Sequence, residues 1–236
     1  MSTSPARHLS SQFDADLNQL ASQIMAMGGA VEQQLNNASA ALQVHVASPS
    51  NEISEQAERT INDMEREIDA QSAYLIARRQ PTAQDLRFVL SMLKVCNNLE
   101  RMGDEAIKLT RQAHSLAALQ GSSNDAARNV YTNLQAALAM AQQMTRAALD
   151  ALARLSVGDA KAVLFSDAAL DTAYKTMIAQ IVNSLQQAPD LAQAMVNVLF
   201  LVKAVERVGD HAKNIAECVV YIAQGEDIRH IAPQAS

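Results

Sequence analysis

The pentapeptide Glu100-Arg101-Met102-Gly103-Asp104 returns as Glu206-Arg207-Val208-Gly209-Asp210, with Glu100 and Glu206 standing 106 residues apart. Each copy lies in a long run of helical periodicity. There its two carboxylates, four residues apart, share one helix face, where like charges repel. The glycine between them costs roughly 1 kcal/mol against alanine inside a helix. A chain that makes the same two unfavourable choices at matching places is constrained to a duplicated helical architecture in which both choices have a use.

The remaining sequence agrees with that constraint. Seven glycines and five prolines in 236 residues are too few for a protein of many strands and turns. Hydrophobic residues make up 49% but aromatics only 3%, so the core is expected to be Leu, Ala, Val, Ile and Met. Six amphipathic segments follow. The first runs from about Phe13 to Val46 and is broken at Ser48-Pro49-Ser50. The second ends at Arg79, before Pro81, with Arg78 and Arg79 complementing its C-terminal dipole. Thr82-Ala83-Gln84-Asp85 resembles a capping box and opens the third. Gly121-Ser122-Ser123-Asn124 reads as a linker. The fourth helix ends near Ser156-Val157-Gly158, Asp159 is the expected cap of the fifth, and Pro189 begins a sixth that runs to Gln224 and stops at Gly225. Long helices on short loops fold back antiparallel. The expected fold is therefore all-α: two antiparallel three-helix bundles related by internal duplication. They occupy residues 13–120 and 125–224, with a linker at 121–124, a flexible N-terminal segment at 1–12 and a tail at 225–236.

Charge and cysteine usage exclude several classes. A net charge of −6 argues against a general nucleic-acid binder, which would show a basic face. Cys96 and Cys218 are expected to be small buried apolar residues, since two cysteines make no disulfide framework. The N-terminus lacks a charged-then-apolar leader pattern. The most apolar run, Ala194 to Val205, is interrupted by Asn197 and Lys203 and spans no membrane. A reduced, cytoplasmic protein is expected.

At about 100° per residue, Val89, Met92, Leu93, Cys96, Leu99, Gly103, Ala106 and Ile107 fall on one side of the third helix. Glu100 falls inside that arc and Asp104 beside it, while Arg101 and Glu105 point toward the polar side. The sixth helix repeats the layout around Glu206 and Asp210. The second helix of each half carries a matching pair: Glu65 and Asp69 among Ile61, Met64, Ile68 and Ile76, then Asp167 and Asp171 among Val163, Leu164, Leu170, Tyr174 and Ile178. Antiparallel neighbours would bring the pairs together, and four carboxylates at a half-buried seam raise one another's pKa or demand a cation.

A single such pair is more often a solvated, salt-bridging feature of a helix edge. Lys213, on the face of Asp210, would neutralise that acid; the third helix has Ile107 at the equivalent place. The second site is thus expected to hold metal more weakly. All-oxygen ligation selects Mg²⁺, Mn²⁺, Ca²⁺ or iron. Zinc would need a Cys/His cluster of suitable spacing, and an oxidative di-iron centre would need Glu with His three residues later, which never occurs here. His211, next to Asp210, is expected at the surface. Gly103, Gly209 and the pair Gly28-Gly29 are expected to let a neighbouring helix come close.

These motifs occur in order in a known family. Met27-Gly28-Gly29-Ala30-Val31-Glu32, Glu65-Arg66-Glu67-Ile68-Asp69, Arg79-Gln80-Pro81, Asp85-Leu86-Arg87 and Leu99 to Ala106 carry the likeness in the first half. Lys203 to Glu217 carries it in the second. Over residues 10 to 224 the chain resembles the PhoU family of bacterial phosphate-specific transport. That resemblance implies two three-helix bundles with pseudo-twofold symmetry. It also implies E(D)-x-x-x-D metal sites for Mg, Mn or Fe at Glu65/Asp69, Glu100/Asp104, Asp167/Asp171 and Glu206/Asp210. It further implies a negative regulator of the phosphate-starvation response, coupling the phosphate ABC transporter, through its ATPase subunit, to a sensor histidine kinase. A homodimer at the inner membrane, peripheral through its partners, is the implied state. Asn98, where an acid is common, and Lys213, where a small or apolar residue is usual, depart from the family pattern and bear on metal occupancy.

No nucleophile motif, phosphate-cradling glycine loop or His-Asp relay occurs in the sequence. A scaffold and signalling adaptor without catalysis is therefore expected. The alternatives are a carboxylate metal-binding or metal-storage bundle with catalytic activity, and a sensor in which metal bridges the acids to phosphate.

Overall fold

Apolar residues recurring every three to four positions fold into long helices, and no strand occurs among the described residues. The structure is a computed structural model that describes residues 11–43, 51–116, 125–187 and 189–228. The helices are α1 (Ser11–Gln43), α2 (Asn51–Arg79), α3 (Ala83–Gln112), α4 (Asp125–Arg154), α5 (Val157–Gln187) and α6 (Ala192–Gln224). They form the two three-helix bundles expected, α1–α3 and α4–α6. No described helix is long and apolar enough to cross a membrane. The expected break at Ser48-Pro49-Ser50, the linker 121–124, the first ten residues and the tail beyond 228 lie outside the described residues.

Helix ends follow local chemistry, with three departures from expectation. Thr82 precedes α3 in an extended conformation, but its side chain makes no capping bond; the carbonyl of Thr82 instead accepts from the Asp85 N–H at 3.0 Å. Helix α5 begins at Val157, three residues earlier than a cap at Asp159 would give. Its cap is Ser156, whose Oγ accepts the Asp159 N–H at 3.3 Å, while the Asp159 carboxylate turns to Arg154 at 3.0 Å. Pro189–Leu191 forms a short 3₁₀ turn before α6 rather than its first turn. Gly225 ends α6 as expected: it adopts φ +76°, open to a residue without Cβ, and its N–H bonds the Tyr221 carbonyl at 2.9 Å.

Each bundle hides an apolar stripe from every helix, with Leu20, Ile24 and Met27 of α1 fully buried against Ile68, Leu75, Met92 and Leu99. Burying a side chain of this size stabilises the fold by roughly 1.5–3 kcal/mol. Orientation is fixed by polar contacts. Arg79 at the end of α2 clasps Asp16 at the start of α1, 2.7 Å away, and holds that carboxyl below its usual range.

The two bundles meet through α1 against α4 and α3 against α6. On the first pair, Arg146 reaches Glu32 at 3.1 Å, Gln142 reaches Asn36 at 2.9 Å, and the Tyr131 hydroxyl donates to the Leu42 carbonyl. Gly28 belongs to this contact, because a Cβ there would stand 2.7 Å from Leu149 Cδ2. Its neighbour Gly29 faces open space, contrary to expectation.

Candidate functional site

A carboxylate seam forms in each bundle between its second and third helices, joining Glu65 with Glu100 and Asp104 in the first and Asp167 with Glu206 and Asp210 in the second. The seams form because a glycine on the third helix lets the second come close. A Cβ on Gly103 would lie 2.6 Å from Ile61 Cδ1, and one on Gly209 would run into Leu170. Each glycine stands one residue before the closing aspartate of its motif, so the close approach and the acids share one helical turn.

In the first seam, antiparallel α2 and α3 set Glu65 and Asp69 against Glu100 and Asp104. Glu65, Glu100 and Asp104 are half-buried, and Asp69 is exposed. Burial is the main cause that raises the pKa of Glu65, and the charges of Asp69 and Asp104 raise it further. Burial likewise raises Glu100, with Asp104 and Glu65 adding to it. Asp104 is raised by burial, with relief from Lys108 opposed by Glu58 and Glu105. Cys96 lies beneath these acids, its Sγ 3.7 Å from Met27 Sδ. Burial and the charges of Glu65, Asp69 and Glu100 push its thiol up to about 12, so it stays protonated and unreactive. Both Cys96 and Cys218 are buried and form no disulfide, as expected.

The second seam repeats the backbone and changes the chemistry. Asp167 on α5 is only 7% exposed, and Asp171, Glu206 and Asp210 are half-buried. Asp210 is pushed up to about 6 by burial and by the charges of Glu206 and Asp167. Here two ammonium groups enter. Lys213 Nζ lies 2.5 Å from Asp167 Oδ2, and Lys203 Nζ lies 2.6 Å from Glu206 Oε2. Lys213 therefore crosses to Asp167 on the neighbouring helix, while its charge also offsets part of the rise at Asp210 on its own helix. Each lysine is held charged above its usual range by the carboxylate it meets.

Among the described residues, no group of three or more His, Cys, Asp or Glu is arranged to hold a metal ion. The first seam has the donor chemistry for a hard cation, oxygen ligands with unmet negative charge, without a ready-made ligand set. The second does not fit one while its lysines stay, since ammonium groups already sit where a cation would.

The seam between the bundles holds residues that periodicity misplaces. Glu105, expected on the polar side of α3, is 5% exposed. It accepts from Arg207 of α6 at 2.9 Å and Lys108 at 3.0 Å. His211, expected at the surface, is half-buried, with Nδ1 2.9 Å from Asn98 Oδ1, which also accepts from Asn214 Nδ2 at 3.0 Å. Burial and the charges of Arg101 and Arg207 push this imidazole down to about 4, against the pull of Glu105. Across the seam, Arg207 lies 102 residues from Glu105, and His211 and Asn214 lie 113 and 116 residues from Asn98, so no local sequence signal reports these contacts.

The family model described as PhoU domain matches residues 24–113 and again 134–219, once in each bundle. The chain is 39% identical over 227 residues to a phosphate-specific transport system accessory protein PhoU homolog of Pseudomonas aeruginosa, covering 95% of this chain and 90% of that one. It is 32% identical over 225 residues to the protein PhoU of Escherichia coli, at the same coverages. The fold superposes on the crystal structure of PhoU from Pseudomonas aeruginosa with a TM-score of 0.83 and 37% identity, covering 91% of this chain and all of that one. It also superposes on a phosphate transport system regulatory protein PhoU from Streptococcus pneumoniae, with a TM-score of 0.77 and 25% identity over 92% and 99% of the two chains. Matched by one domain model in both halves, and by relatives over nearly its whole length, the chain belongs to the PhoU family.

Proposed function

We propose that this protein is an accessory regulator of phosphate transport. It acts as a negative regulator of the phosphate-starvation response, joining the phosphate ABC transporter, at its ATPase subunit, to a sensor histidine kinase. The observation that carries this reading is the end-to-end likeness to proteins named as phosphate-specific transport accessory proteins, with both repeats present and in order. The protein works by docking rather than by catalysis, as a homodimer peripheral to the inner membrane through its partners. The test is genetic. Removing the gene should leave a phosphate-regulated reporter fully expressed in rich phosphate, and normal repression in that strain would refute the reading.

A metal-binding reading is favoured by one specific observation: among the described residues, no lysine stands against the four acids of the first seam as Lys203 and Lys213 stand against Glu206 and Asp167 in the second. We propose Glu65, Asp69, Glu100 and Asp104 as the site for Mg²⁺, Mn²⁺ or iron. Such an ion would supply the positive charge that neutralises the seam. Elemental analysis of tag-free protein, paired with reporter repression, separates the roles. Metal-free protein that still represses would remove metal from the regulatory function.

A further inference from the structure

Helix α3 carries cations at Arg87, Lys94, Arg101 and Lys108, one every seventh residue. Seven residues are close to two turns, so the four share one side of the helix over about 32 Å. Contacts with α6 place that side along the seam between the bundles. Arg87 and Lys94 stand over the Tyr221 ring, 5.8 and 5.3 Å from its centroid. Lys108 and Arg207 converge on Glu105, and Arg101 and Arg207 both bear on His211. Lys94, Arg101, Lys108 and Arg207 are exposed, and Leu90 stands exposed among them. In a chain of net charge −6, these cations line up in a row on one side of α3, with Lys108 and Arg207 already meeting Glu105.

We propose that this row docks an acidic helix of a protein partner, with carboxylates at matching seven-residue spacing and an apolar residue to meet Leu90. Three observations favour a helix over an anionic bilayer. The cations form one narrow line at the repeat distance of a helix laid alongside, the arrangement that pairs charges across helical interfaces. Several are fixed in place, by the Tyr221 ring or by Glu105, whereas a fluid lipid surface needs no fixed spacing. The acids of the first seam flank the row, with Glu100 and Asp104 on the same helix. They would repel a broad anionic plane while leaving a single rod free to lie along the line.

The test uses the full chain and two labelled alanine-rich helical peptides of the same composition. One has Glu at every seventh position; the other has the same Glu residues shuffled. Fluorescence anisotropy should show the spaced peptide binding roughly tenfold tighter or better. Lys94→Glu with Arg101→Glu should remove that preference, and Lys94→Gln with Arg101→Gln should weaken it without reversing charge. Lys161→Glu with Lys175→Glu, on α5, should leave it unchanged. Thermal melts confirm that each variant is folded. Equal binding of both peptides would overturn the proposal, as would indifference to the α3 substitutions. So would retention on vesicles containing phosphatidylglycerol that the α3 substitutions abolish, without peptide preference, because the row would then serve a membrane. Loss of self-association in the α3 variants, again without peptide preference, would assign the row to a second copy of the chain and likewise overturn the proposal.

Discussion

The first seam, Glu65/Asp69 against Glu100/Asp104, and the second, Asp167/Asp171 against Glu206/Asp210, share a backbone plan. Both use antiparallel helices drawn together at a glycine, with acids on the turns beside it. They differ in what meets the acids. The second has Lys203 and Lys213 within 2.6 Å of carboxylate oxygens; the corresponding positions 106 residues earlier are Asn97 and Ile107. Two side chains thus separate a seam in which two of four acids meet an ammonium group from one in which none meets a lysine so closely. Duplication copies geometry cheaply, but the charge state of a half-buried acidic cluster is set by single residues at its rim.

The largest expected effect is on cation binding. In a Mn²⁺ titration followed by calorimetry or relaxation, Glu100→Gln with Asp104→Asn should weaken binding roughly a hundredfold, equivalent to about 2.7 kcal/mol. Glu206→Gln with Asp210→Asn should change it little. Equal losses from both double variants would break the comparison, and would mean that the lysines swing away when metal arrives. Lys203→Met with Lys213→Met sharpens it, because freeing the second seam should add a second Mn²⁺ equivalent.

Next comes stability without metal. Lys213→Met strips the ammonium from nearly buried Asp167 and leaves a charge without its partner. Lys213 is itself 37% exposed, so the loss is discounted for solvent to about 2 kcal/mol by urea denaturation at pH 8. At pH 5 it should shrink, as Asp210, raised by burial and by the neighbouring acids, takes up a proton. A loss of the same size at both pH values would mean that the lysine stem, not its charge, is what counts.

The glycines give a somewhat smaller effect. Gly103→Ala and Gly209→Ala each press a methyl group into an aliphatic neighbour, Ile61 or Leu170, and should cost roughly 1–2 kcal/mol. Gly209→Ala should cost the more, since a Cβ there would come nearer to Leu170 than one on Gly103 comes to Ile61. Equal costs, read from thermal midpoints, would show that Leu170 swings aside and that the seams differ in charge alone.

How far the sequence reported this arrangement depends on the range of the signal. Periodicity placed Glu65, Glu100, Glu206 and Asp210 correctly beside buried stripes, because a helix face is decided by residues three and four apart. The close-approach role of Gly103 and Gly209 was legible for the same reason, whereas Gly29 satisfied the rule and met nothing. The partner of Lys213 was not legible. Its stem reaches across to α5, and Asp167 lies 46 residues away in sequence. Glu105 reads as a polar-side residue of an isolated helix and becomes buried only because the other bundle's α6 covers it. Thr82 had the composition of a cap, yet its side chain makes no capping bond. Local chemistry announced elements and faces; which charges meet was decided between elements.

The smallest effect is a pH dependence at Asp210. Its carboxyl rises from an ordinary 3.8 to about 6 in the fold. Between those values the folded protein binds more protons than the unfolded chain, so stability falls as pH rises through the window. Below it the acid is neutral in both states and costs nothing; above it the acid is charged in both, and the fold bears the full penalty. Asp210→Asn removes that penalty and should stabilise the protein at pH 8 by about 1 kcal/mol, after allowing for partial exposure and screening. The gain should fade below pH 6 and vanish by about pH 4, as urea midpoints at pH 8, 6 and 4 would show. Asp104→Asn should shift stability in the same direction, since burial raises that acid too. A variant less stable than the wild type at pH 8 would mean that Asp210 is paired in solution, and the second seam would then be fully neutralised instead of half-satisfied.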